Sequence, residues 1–261
     1  MTRMTTPAPA FDSIADPEST ACREGAVVPL RAVDDGDAAL ITVRGLAGGC
    51  EPMRRTLHAR TGVARAGEAD RAELLTLGAA VGLTWPAAAL DGGLLGGRAV
   101  EWLVLSGEVL VDGERLATGD FLRHALSADG HRVEAVVPAR LHVRMGVPVR
   151  RIAAVRTIAR SAEATWEGVA GDFQRRLLWS DDAEAALLVR APAGLTAAAH
   201  RHRIDEECLV LQGEVSTGTF CLRTGDYQIA PAGSTHAVAR AAVDALVYVR
   251  CDADYDFARE S

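Results

Sequence analysis

The strongest constraint on this chain is that it contains a second copy of itself. Val100–Leu122, VEWLVLSGEVLVDGERLATGDFL, lies over Glu206–Gln228, EECLVLQGEVSTGTFCLRTGDYQ, at a constant shift of 106 positions. Under that shift Glu101, Leu103, Val104, Leu105, Gly107, Glu108, Val109, Leu116, Thr118, Gly119 and Asp120 recur unchanged. Gly62 and Val63 fall on Gly168 and Val169, and Leu141 and Val143 on Val247 and Val249, with no gap required. Self-similarity at a fixed period signals one structural unit present twice, here of about 85 residues each.

The unit is a β unit. Short runs of Val, Leu and Ile such as AVVPLRAV, AALITVRG, RLHVRMGVPV and ALVYVRC are broken by Gly, Pro and Asp, which is the texture of many short strands in a sandwich or barrel. An all-β fold of two tandem barrels with few helices is therefore expected. Gly67–Leu77 is the one helix candidate, in competition with a strand. The organisation reads as a loose tail over 1–25, extra strands over 26–58, a first copy over 59–146 and a linker over 147–165. A second copy over 166–251 and a tail over 252–261 complete it.

Hydrophobic residues at 49% against 24% charged supply enough apolar material for a core, and no run reaches the length of a membrane helix. With 28 basic and 35 acidic side chains, net charge -7, there is no electrostatic motive for binding nucleic acid or anionic lipid. The chain has no lysine, which excludes Schiff-base and P-loop chemistry, and no nucleotide-cofactor motif stands in the sequence. Five cysteines, Cys22, Cys50, Cys208, Cys221 and Cys251, form no C-x-x-C, and the start MTRMTTPAPAF has no signal-peptide core. A cytoplasmic protein is expected.

Chemistry concentrates in the second copy. In GLTAAAHRHRIDEECLVLQG a strand would put His200 and His202 on one face, and Glu206 keeps their parity. Downstream, GDYQIAPAGSTHAV has turn signals at Gly225-Asp226 and Pro231–Gly233 before His236, which an antiparallel return can bring to the first three. Imidazoles with a carboxylate are a mixed ligand set for a first-row divalent metal. The opposite parity puts Glu207 on the other strand face.

These residues resemble the two motifs of the cupins. Gly194, His200, His202, Glu206 and Gly213 fit G-x5-H-x-H-x3-E-x6-G; Gly225, Pro231, Gly233 and His236 fit G-x5-P-x-G-x2-H. Arg240 stands where an Asn usually closes the second motif. Within cupins the segment from Trp166 through AALLVRAPAG to the histidines is similar to the ChrR-type group. The resemblance implies a bicupin in which His200, His202, Glu206 and His236 hold one divalent ion, Fe(II), Zn(II), Mn(II) or Ni(II). Glu206 is a candidate base as well as a ligand, and Cys208 and Tyr227 are candidate pocket neighbours.

The first copy fails the same test: Leu94, Gly96, Val100 and Gly130 stand at the ligand positions. His131 lies one place beyond, with His124 and Glu101 nearby. A degenerate, metal-free barrel is expected there. Trp102, read as outward on VEWLVL, is a candidate for a homodimer interface.

With open coordination positions, an oxygen-bearing small molecule such as a diketone or hydroxyketone could chelate the ion, as in cupin enzymes that cleave carbon–carbon bonds. A zinc ion held by four protein ligands would instead make a sensory or structural site. ChrR-type regulators hold a sigma factor through an N-terminal H-x3-C-x2-C module, and after His58 this chain has no such spacing. The sequence therefore favours a dioxygenase-like enzyme, with a zinc-binding regulator that partners a sigma factor, or a non-catalytic binding module, as the alternatives.

Overall fold

VEWLVL is apolar at both parities, so a strand made from it must be covered on both faces. The computed structural model describes residues 41–43, 53–61, 69–85, 98–127, 129–148, 156–169, 172–217 and 220–253. In the first half, β1 (Ile41–Val43), β2 (Met53–Thr61), β3 (Ala69–Leu77) and β4 (Gly82–Trp85) precede the long β5 (Arg98–Val111). Then come β6 (Glu114–Ala117), β7 (Phe121–Ala125), β8 (His131–Pro148) and β9 (Thr157–Ala159). The second half has β10 (Glu167–Gly168), β11 (Gln174–Ser180), β12 (Glu184–Ala191), β13 (Thr196–Ala197), β14 (His200–Arg201) and β15 (Glu206–Gln212). It continues with β16 (Glu214–Thr217), β17 (Phe220–Arg223), β18 (Tyr227–Ala230), β19 (Thr235–His236), β20 (Ala239–Ala241) and β21 (Ala245–Asp252). Among the described residues the helical positions are the 3-10 turn Ser161–Glu163 and Asp172, and no helix is long and apolar enough to cross a membrane.

The stretch with mixed helical and strand character is a strand, β3. It sends Leu75 and Leu77 into the first-half core and Ala72 and Leu74 to its opposite face. Two buried faces remove the polar alternation that marks a strand, which is why a helix competed with it.

All strand pairings among the described residues are antiparallel. One sheet runs β2-β3-β8-β5-β7-β9, with β4 on β8 and β6 on β5; another runs β1-β18-β15-β21-β12-β11-β10. The second half adds β13-β20-β16-β17 and the pair β14-β19.

The repeat is real in three dimensions but not gapless. β6 and β17 coincide at the shift of 106. Leu77, however, pairs with Ala139, while Ala191 pairs with Ala245. Leu83 pairs with Val133, while Ala197 pairs with Ala239. The shift is therefore 106 on β8 and 114 on β3 and β4. Eight extra residues in the first half fall between Trp85 and Arg98, outside the described residues.

The halves exchange strands. β1, which precedes the first half, pairs with β18 of the second, Ile41 opposite Ile229 and Val43 opposite Tyr227. β9, which precedes the second half, pairs with β7 of the first, Thr157 opposite Arg123 and Ala159 opposite Phe121. Residues 123 and 121 become 229 and 227 under the shift of 106, so the exchange is reciprocal.

Between the sheets lies a shared core in which Leu103, Leu105 and Phe121 of the first half meet Leu209, Leu211 and Tyr248 of the second. The buried charges there obey the same symmetry. Arg144 Nε donates to Glu207 Oε1 at 2.5 Å, and Arg250 Nη1 donates to both oxygens of Glu101 at 3.0 and 2.8 Å. The shift turns Glu101 into Glu207 and Arg144 into Arg250, so each half gives an acid and takes a base, as in an isologous dimer. Arg123 Nε adds a bond to Glu101 at 3.2 Å, and Arg250 also pairs with Glu184. Burial acts against the charge on Arg250, but Glu101 and Glu184 outweigh it and hold its pKa well above the usual arginine value.

Trp102 is not outward. It is fully buried in the first-half core, edge-to-face with Trp85 at 5.4 Å. The parity that meets the other half is Glu101, Leu103 and Leu105.

Candidate metal centre

β14 and β19 pair so that His200 lies opposite His236, whose side chain is outside the described residues. Beyond β14 the chain bends at Arg203-Ile204 before β15 begins at Glu206, so the histidines and glutamate do not share one straight strand. The bend brings the His200 and His202 rings to 4.8 Å, nearly perpendicular. Glu206 Oε2 lies 3.8 Å from His200 Nε2 and 3.6 Å from His202 Nδ1. All three side chains are buried, and each offers a donor atom within 4.8 Å of the others.

The Pro-Ala-Gly turn fixes this geometry. His202 N–H donates to the Ser234 carbonyl at 3.0 Å, and Gly233 N–H returns a bond to the His202 carbonyl at 2.8 Å. Gly233 sits at φ +87, a conformation that side chains with a Cβ rarely adopt. Ala232 N–H donates to Asp205 beside Glu206 at 2.7 Å. His200 Nδ1 donates to the Ala198 carbonyl at 2.9 Å, which turns Nε2 toward Glu206. Burial would depress the His200 pKa; Glu206 and the Ala198 carbonyl overcome it and raise it.

His200 and Glu206 line a pocket with walls that include Phe173, Val189, Leu195 and Val247. Cys208 and Gln228, opposite one another on β15 and β18, also line it. Burial pushes the Cys208 thiol up, so it stays protonated. Tyr227 lies on the other strand face and donates to Glu207 Oε2 at 3.0 Å, away from the pocket. Glu207 faces the other half, as its parity required. Gln228 was not singled out by the sequence, although parity with Glu206 across the paired strands marks it as inward.

Residues 154–259 match the family model of the ChrR Cupin-like domain. A cupin 2 conserved barrel domain protein from Leptotrichia buccalis superposes with TM-score 0.51 at 17% identity over 79% of this chain and 91% of its own. The chain has the cupin fold. A salicylate 1,2-dioxygenase variant from Pseudoaminobacter salicylatoxidans in complex with gentisate superposes with TM-score 0.52 at 12% identity, over 80% of this chain and 76% of its own. An oxalate decarboxylase variant from Bacillus subtilis gives 0.52 at 12%, over 80% and 79%. Among curated proteins, none matches the sequence.

Within this cupin fold the two halves differ in how they are filled. Where the second half has Glu206, Cys208, Gln228 and Val247, the first has Val100, Trp102, Leu122 and Leu141. On the strands shifted by 114, Val189 and Ala191 replace Leu75 and Leu77. Larger side chains occupy the first interior, and smaller ones leave the pocket in the second. Gly130, at the position of His236, has no room for a ligand, because a Cβ there would meet the Trp85 carbonyl at 2.6 Å.

A second group in the cupin's first half is Asp112, His124 and His131, whose donor atoms also lie within 4.8 Å. Glu101, thought to be near them, lies on the opposite strand face. The hydrogen bonds of the group suit a structural role. His131 Nε2 accepts from Ser127 N–H at 3.1 Å, and Nδ1–H donates to Asp112 at 2.6 Å. His124 Nε2 accepts from Trp102 Nε1–H at 2.9 Å. Each imidazole thus carries its proton on Nδ1, the nitrogen that would have to ligate.

Burial and the neighbouring His131 lower the His124 pKa to about 4. The folded state then binds fewer protons than the unfolded chain, where histidine titrates near 6.5. Its contribution is complete above that value and is lost as pH falls toward 4, on the order of 3 kcal/mol. Guanidinium unfolding at pH 7 and 4.5 should show this loss, and His124→Gln, which keeps an acceptor for Trp102, should flatten it. An unchanged slope in that variant would reject the assignment.

Proposed function

We propose that the protein is a bicupin, an enzyme whose second half holds one divalent metal ion on His200, His202, Glu206 and His236. Its substrate is a small oxygen-bearing molecule such as a diketone or hydroxyketone, and its reaction is dioxygenase-like. The carrying observation is the buried group His200, His202 and Glu206, of which His200 and Glu206 line an apolar pocket. Two imidazoles and a carboxylate suit Fe(II), Mn(II), Ni(II) or Zn(II), and the backbone register of His236 opposite His200 supports His236 as the fourth donor. When bound by these four residues, Fe(II), Mn(II) or Ni(II) would polarise a chelating oxygen and keep open positions beside it, whereas tetrahedral Zn(II) would not. The chain's own residues orient the ligands through the Pro231–Ser234 turn and exclude water with the pocket's hydrocarbon walls. Glu206 would take a proton from a substrate oriented there.

Protein purified without a metal-chelating tag should contain close to one ion per chain, and His202→Ala should lose most of it. Reconstitution with each of the four metals, with dioxygen uptake followed in the presence of diketones and hydroxyketones, tests the activity. A zinc-loaded, inactive protein that retrieves a sigma factor from the source cell would overturn the enzyme reading in favour of a regulator. Two ions per chain, or full occupancy in His202→Ala, would overturn the site.

A further inference from the structure

Which molecules the pocket accepts depends on the charges its walls can neutralise. The chain has no lysine, and among the described residues lining the pocket Arg240 is the only arginine. Its side chain belongs to the outward row of β20: Ala239 and Ala241 pack on the second-half core, whereas Arg240 is exposed. Its cross-strand neighbours are Thr196, also exposed, and Ser216.

Beyond His200 and Glu206, the inward polar side chains described there are Cys208 and Gln228. Gln228 is 2% exposed, and the first half has Leu122 in its place. A carboxamide is neutral at every working pH and offers two donors and an acceptor. It can hold a hydroxyl or carbonyl oxygen, but it cannot repay the desolvation of a carboxylate brought against it.

Resting on the reading of this site as that of a metal-dependent enzyme, we propose that Gln228 determines specificity. It selects substrates whose body beyond the metal-binding oxygens is uncharged and rejects those that carry a further carboxylate there.

The test is calorimetric binding to the full-length, Mn(II)-loaded protein of two matched ligands, heptane-2,4-dione and 4,6-dioxoheptanoate. They share the chelating diketone and differ in a terminal methyl against a carboxylate. The wild type should bind the uncharged ligand at least tenfold more tightly. Gln228→Arg should reverse the order with metal content unchanged. If Gln228→Arg does not fold, the wild-type ratio alone decides, with equal or tighter binding of the carboxylate overturning the proposal. A folded Gln228→Arg that leaves the ratio unmoved overturns it as well. Metal-loaded wild type that binds neither ligand overturns the substrate reading beneath it, and a wild type that takes up no metal overturns the site itself.

Discussion

Glu206→Gln and Glu207→Gln, neighbouring and chemically identical substitutions, should give opposite phenotypes. Glu206→Gln is expected to lose most of the bound metal, yet to unfold within about 1 kcal/mol of the metal-free wild type, because the amide keeps an oxygen acceptor beside His200 and His202. Glu207→Gln is expected to keep the metal and lose about 3–5 kcal/mol of stability, because it leaves Arg144 buried without its counter-charge. Tyr227 and Arg144 each donate to one oxygen of Glu207, and the amide, with a single oxygen, cannot accept from both in the same way. The double variant Arg144→Met/Glu207→Leu removes both charges and should recover much of the loss. Metal analysis and chemical denaturation of the metal-free proteins read the two effects separately. A greater metal loss in Glu207→Gln would mean that the strand register is off by one.

Cutting the chain between its halves should have the second large effect. Expressed alone, residues 154–261 lack β1, so β18 loses a neighbouring strand. Glu207 then lacks Arg144, Arg250 lacks Glu101, and Leu209, Leu211 and Tyr248 face water. The fragment should be insoluble or self-associated, and co-expression with residues 1–153 should restore a soluble complex containing both pieces. Size-exclusion chromatography decides, and a soluble, folded, monomeric 154–261 would refute the exchange.

The grouping of His200, His202 and Glu206 was legible because its spacing carries the information. Histidines at i and i+2 with a glutamate four residues later admit few arrangements, and the glycines and proline mark where the chain must turn. The partner face of β5 was not legible: Val100, Trp102 and Val104 are as apolar as Leu103 and Leu105, so parity separates two faces without saying which meets the other half. The clue was Glu101, whose burial makes sense only opposite an arginine from elsewhere. The eight-residue insertion was hidden because the match over 100–122 is strong, and nothing before it forces a gap. The Asp112, His124 and His131 group was missed as a group because Asp112 lies in a turn far from both histidines in sequence.

The unequal filling of the two interiors has a thermodynamic consequence. Replacing a core leucine by a smaller residue costs about 2–5 kcal/mol for Leu→Ala, and the second half carries several reductions of that kind relative to the first. An open cavity is a debt that an isolated small β unit would struggle to carry. Here the solid half acts as ballast: its close-packed tryptophans and leucines add cohesion, and the exchanged strands and crossed ion pairs share that cohesion with the hollow half. The hollow half can then enlarge or reshape its pocket, one side chain at a time, while the molecule stays folded.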